Sequence, residues 1–137
     1  MSHMTIRNDI TGFSLVELMI VIVIIGTLAA IAVPIYSNNA TKARMSEADV
    51  NLGSIRSDLR VYQSAHDEYP TVNPAGYVIG ATWNDIRTGE MTGKYFTDSS
   101  YTYHCTDGYA FTISCAPGSE LLSPRTLNQS GVLAGGL

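Results

Sequence analysis

From Leu18 to Thr41 the chain carries no charged residue: LMIVIVIIGTLAAIAVPIYSNNAT is 24 residues long. As a helix rising 1.5 Å per residue this run spans about 36 Å, enough to cross a bilayer core of about 30 Å. Once this run and what precedes it are set aside, about 100 residues remain for a folded body, which makes a small core.

A cleaved secretory signal is the competing reading, and Ala30-Ile31-Ala32 offers a small-x-small junction that would start the mature chain at Val33. The flanks oppose it. Arg7 is offset by Asp9, and Glu17 stands inside the apolar stretch, where a charge costs about 2.5 to 3.5 kcal/mol on insertion scales. Lys42 and Arg44 outnumber Arg7, so charge bias does not set the orientation.

Past Pro34 the helical pattern turns amphipathic. Met45, Ala48, Leu52, Ile55, Leu59, Tyr62, His66 and Tyr69 recur at steps of three and four, one stripe of a helix, with the charged residues largely between them. Pro70 ends the pattern, because the residue before a proline is pushed out of the helical region. The two halves together predict one helix from about Phe13 to Tyr69, roughly 85 Å long. Gly26 and Pro34 interrupt it, the first by low propensity and the second by removing a donor.

Residues 70–100 are rich in Pro, Gly, Asn, Thr and Asp and hold Trp83, the single tryptophan. They read as a loop with one helical turn near Trp83 to Arg87. Then Tyr101, Tyr103 and Cys105 alternate with polar residues, Asp107-Gly108 signals a turn, and Tyr109, Phe111, Ile113 and Cys115 alternate again. This is a hairpin whose aromatic face suits the helix stripe. The tail from Ala116 adds at most an edge strand, with Gly135-Gly136 frayed.

Cys105 and Cys115 both lie in the part outside the membrane, where an even count points to a disulfide; two buried free thiols are the alternative. The hairpin and the disulfide conflict. A regular turn at Asp107-Gly108 puts the two cysteines about 17 Å apart, whereas a disulfide needs Cα atoms within about 7 Å.

Formal charge is −4, with no basic cluster beyond Lys42 and Arg44, which argues against a nucleic-acid surface on the subunit. His66 and His104 belong to no metal-ligand pattern, and no nucleophile triad or phosphate loop is present. No catalytic residue, metal or cofactor is expected. Asn39-Ala40-Thr41 and Asn128-Gln129-Ser130 match the glycosylation triplet, which is short enough to arise by chance.

Residues 12 to 34, GFSLVELMIVIVIIGTLAAIAVP, resemble the N-terminus shared by type IV pilins and the pseudopilins of type II secretion systems. The resemblance covers about a sixth of the chain in a specific order: glycine, aromatic, a glutamate four residues on, then an apolar helix with a late proline. It implies cleavage between Gly12 and Phe13 by a prepilin peptidase, N-methylation of Phe13, and assembly through Glu17, Gly26 and Pro34. In this reading cleavage creates an amine four residues from Glu17, and a neighbour's amine pairing with that carboxylate sets the axial register. One departure is the leader ending Asn8-Asp9-Ile10-Thr11-Gly12, without the basic stretch usual there.

The expected fold is α+β: a long N-terminal helix, membrane-spanning in its first half and amphipathic in its second, packed on a small antiparallel sheet. The expected organisation is a leader at 1–12, an apolar helix at 13–36 and a head at 37–137, itself split at 69 and 100. The expected function is a non-enzymatic pilus subunit, held in the inner membrane and then extracellular, with itself and minor pilins as partners. The alternatives are a pseudopilin, or a minor or tip subunit binding DNA or a surface ligand through the loop around Trp83. No acidic calcium loop is evident near Asp107 and Glu120, which favours the pilin over the pseudopilin.

Overall fold

In a computed structural model, residues 12–136 are described. They form one long helix and a five-stranded antiparallel sheet: α1 (Leu15–His66), β1 (Val72–Tyr77), β2 (Tyr101–Cys105), β3 (Phe111–Cys115), β4 (Arg125–Asn128) and β5 (Leu133–Ala134). The strands lie in chain order, β1-β2-β3-β4-β5, each antiparallel to the next. The fold is the expected α+β arrangement. The chain divides into two compact units between Ser37 and Asn38.

In the first unit every described residue is exposed. Among its large apolar side chains the least exposed is Val21, at 44%. Pro34 lies inside the helix, and a Cβ added at Gly26 would meet nothing within 4 Å.

The second unit holds the whole core of buried residues. The helix contributes Ala48, Leu52, Ile55 and Leu59, all fully buried, and Met45 and Tyr62 pack beside them. These are stripe positions, and their spacing turns one face to the sheet. The sheet answers with alternate residues: Tyr101, Tyr103 and Cys105 from β2, Phe111, Ile113 and Cys115 from β3, and Leu127 from β4. Each apolar side chain of this size stabilises by about 1.5 to 3 kcal/mol on burial. The phenols inside the core keep partners, since Asn51 donates to the Tyr101 hydroxyl at 2.8 Å and Tyr103 donates to the Pro70 carbonyl at 2.8 Å.

Two boundaries differ from those read in the sequence. Helix α1 ends at His66, ahead of Pro70, because Asp67 takes a left-handed conformation (φ 64) while its N–H still donates to the Gln63 carbonyl at 2.8 Å. Tyr69 is buried from outside the helix, and His66 at the end of the stripe is exposed. Between β2 and β3 the turn takes five residues, 106–110, so Tyr109 sits in the turn and is exposed. Asp107 organises it by accepting from the N–H groups of Tyr109 and Ala110, both at 3.0 Å, and Gly108 supplies the positive φ of 77°.

The disulfide is corrected. Cys105 pairs across the hairpin with Phe111 and Cys115 pairs with Tyr101, so the two sulfurs stand at opposite ends of the ladder, about 13 Å apart at 3.3 Å per residue. Both are free and buried. Burial pushes the Cys115 thiol up to about 11, which leaves it protonated and inert at neutral pH.

Two further expectations change. The 70–100 segment contains β1, an edge strand with Pro74 and a register shift between Val72 and Gly76; Pro is tolerated there because an edge strand leaves donors unpaired. Trp83 to Arg87 holds no helix, and the segment's helical turn is the 3₁₀ helix at Asp98–Ser100. The tail adds two strands, and Gly135-Gly136 is tied down. Arg125 donates to the Gly135 carbonyl at 2.8 Å, and the Gly136 N–H donates to Ser123 Oγ at 2.9 Å.

Candidate assembly segment

Helix α1 begins one residue after Ser14, whose carbonyl accepts the first helical bond, from the Leu18 N–H at 3.2 Å. Glu17 falls in the first turn, where free N–H groups leave partial positive charge and a carboxylate is favoured. Among the described residues Glu17 makes no ion pair and no hydrogen bond.

Below Glu17 the helix is long and apolar enough to cross a membrane, and none of the qualifying 18-residue window is buried. An apolar helix exposed all round forfeits hydration free energy at about 25 cal/mol per Å² until something apolar covers it. Phe13, the first aromatic of the segment, is 74% exposed. Gly12 precedes it, also exposed. Thr27 returns its hydroxyl to the Ile24 carbonyl at 2.8 Å, so even the polar residue in the run satisfies itself locally.

Of the residues singled out in the sequence, Gly12, Phe13, Glu17, Gly26 and Pro34 follow one another along this segment, and all are exposed. Leader residues 1–11 lie outside the described residues. The chemistry such a segment supports is packing: a one-dimensional apolar surface carrying a single charge near its start. Among the described residues, no group of three His, Cys, Asp or Glu side chains could hold a metal ion.

Sequence reasoning missed Glu47. Its carboxylate accepts from three successive backbone N–H groups, Lys94 at 3.1 Å and Tyr95 and Phe96 at 2.9 Å each, pinning the long connection between β1 and β2 to the helix. As one more charge off the apolar stripe, it carried no signal of its own.

Residues 7–33 match the family described as the prokaryotic N-terminal methylation motif. Among known proteins, the fimbrial protein EcpC of Eikenella corrodens is 45% identical over 124 residues, 90% of this chain and 67% of that protein. The type IV major pilin protein PilE1 of Neisseria gonorrhoeae is 40% identical over 84 residues, 61% of this chain and 36% of that one. A fimbrial protein of Neisseria meningitidis serogroup A is 38% identical over 84 residues, 61% of this chain and 45% of that protein. The chain thus spans less than half the length of these Neisseria relatives. No solved structure matches it.

Proposed function

The chain belongs to the type IV pilin family, and from that premise we propose that it is a structural subunit of a pilus filament. In this reading it is made as a precursor held in the inner membrane. A prepilin peptidase removes residues 1–12, Phe13 is methylated, and the mature subunits polymerise into an extracellular filament with themselves and related minor pilins. The observation that carries this is the wholly exposed apolar helix behind Gly12-Phe13, whose one charge, Glu17, has no partner among the described residues.

Its logic is energetic. In a membrane the segment is covered by lipid, and in a filament by copies of itself, so transfer between the two need not expose it to water. Glu17 can stay solvated near the headgroups in the precursor, but in a filament core an unpaired carboxylate costs several kcal/mol. Pairing with the Phe13 amine of an adjacent subunit removes that cost only at one stagger. Gly26 to Pro34, helical in the single chain, is where the helix is proposed to bend or unwind on packing.

The test is Glu17→Ala expressed in the native host at normal subunit levels. The expected result is a mature chain beginning with N-methylated Phe13, normal membrane insertion, and filaments lost or reduced at least tenfold. Filaments in normal quantity would remove the register role from Glu17. A mature chain beginning at Val33 would remove the whole reading.

A further inference from the structure

Three adjoining depressions line one side of the C-terminal half of α1, opposite the 82–91 segment. The largest is a cavity of about 640 Å³ whose walls include Tyr62, His66, Trp83 and Asp85. The second shares those four residues and adds Asp58. The third joins Asp58 and Asp85 to Glu90 and reaches Asn51. From Asn51 to His66 the helix rises about 22 Å, so the three make an elongated groove.

The lining has one sign of charge. Three carboxylates face it and no Lys or Arg does. Asp58 and Asp85 accept no hydrogen bond and form no ion pair among the described residues. Glu90 accepts only from the Arg87 N–H, at 3.0 Å. Burial and then the charges of Asp85 and Glu90 hold the Asp58 carboxyl above its usual range, so this side chain is relieved by a cation. Among the described residues these carboxylates do not converge as a metal cage. They suit separate ammonium groups set along one chain.

The aromatic wall narrows the ligand further. Tyr62 and His66 stack at 4.0 Å with an 11° tilt, a flat surface that can cover an aliphatic stem and attract its ammonium end. Trp83 is nine-tenths buried and held against Tyr103 at 4.9 Å, while its indole nitrogen stays open to solvent and donates to no group among the described residues. An incoming peptide carbonyl can replace water on this donor, which a bare polyamine cannot.

We propose that this groove binds an extended, lysine-bearing peptide segment of another protein, its ammonium groups on Asp58, Asp85 and Glu90 and a backbone carbonyl on the Trp83 indole. The groove lies within residues 51–91, so a single subunit carries it whether or not it polymerises. Trp83 is the only tryptophan of the chain, so intrinsic fluorescence reads this groove alone. The full chain in a nonionic detergent is titrated with the blocked hexapeptide Ala-Lys-Ala-Lys-Ala-Lys, with spermidine, and with magnesium chloride, all at matched ionic strength.

The expected result is a saturable change with the peptide, weakened about tenfold by Asp85→Asn and by Asp58→Asn and unaltered by Asp67→Asn outside the groove. Both groove variants keep the side-chain shape at positions that solvent reaches, so the fold persists. Spermidine binding as tightly as the peptide would reduce the groove to a charge site and overturn the peptide. Magnesium reproducing the change would reduce it to screening. No saturable change, or one indifferent to both asparagine variants, would overturn the site.

Discussion

At the scale of single residues, three carboxylates of the head, Glu47, Asp98 and Asp107, are spent on backbone. Glu47 serves three N–H groups that have no strand partner, and hydrogen bonds to an ionised acceptor are worth about 1.5 to 3 kcal/mol each when their donors would otherwise go unpaired. Partial solvent access reduces the sum. Glu47→Ala is expected to cost about 2 to 3 kcal/mol of head stability, and Glu47→Gln roughly half as much because one acceptor oxygen remains. Urea unfolding of the two variants checks the order. Asp98 does similar work in the same connection, accepting from Gly89, Met91 and Thr92.

The hydrogen bond from Gly89, with smaller help from Thr92 and Met91, holds the Asp98 carboxyl below its usual range. At Asp107 the Ala110 and Tyr109 N–H groups do the same. A depressed folded value means that the stabilisation is present above the unfolded value of about 3.9 and lost as pH falls through the folded one. Asp58, raised by burial and by Asp85 and Glu90, works in the opposite sense. Stability of the head is therefore expected to fall below about pH 4, and Asp98→Asn to flatten that fall. Thermal melts between pH 2 and 6 read it; an unchanged slope in the variant would clear Asp98 of the role.

At the scale of elements, the tie between α1 and β4 rests on one fork. Arg125 donates through Nε and its second terminal nitrogen to the two oxygens of Asp49, at 2.6 and 3.0 Å, and its side chain is only 12% exposed. This hydrogen-bonded partner raises the arginine's already high pKa. The other terminal nitrogen holds the Gly135 carbonyl, so the same side chain secures β5 and the end of the tail. Arg125→Ala is expected to destabilise by about 2 to 3 kcal/mol, since it strands a partly covered carboxylate. Asp49→Ala combined with Arg125→Ala should cost less than the sum of the single changes, a double-mutant cycle being the measurement.

At the scale of the whole molecule, the two compact units solve different problems. Among the described residues, all buried hydrophobic side chains lie between Ala48 and Leu127, and the first unit buries none of its own. A chain begun at Asn38 therefore retains the entire core. It is expected to be water-soluble and to unfold in one cooperative step, with a midpoint within about 5 °C of the full chain in detergent. Loss of cooperative unfolding in the shortened chain would show that the head needs the apolar segment.

Much of this was legible in the linear order of residues, because the signals involved are local. An uncharged run of 24 residues, a stripe at steps of three and four, and alternation on either side of Asp107-Gly108 each declare themselves within about 25 positions. They sufficed for the apolar helix, its buried face and the central hairpin, and Gly12-Phe13 with Glu17 pointed to the family. What only the tertiary structure decided depends on residues far apart in the chain. Edge strand β1 exists because β2 offers it partners some thirty residues on, which overrides a loop-like composition. The cysteines stay apart because the ladder's register places them at its two ends. Glu47 clamps and Asp58 faces Asp85 because the connection folds back on the helix; a carboxylate's task is set by what is laid against it, and no local pattern records that.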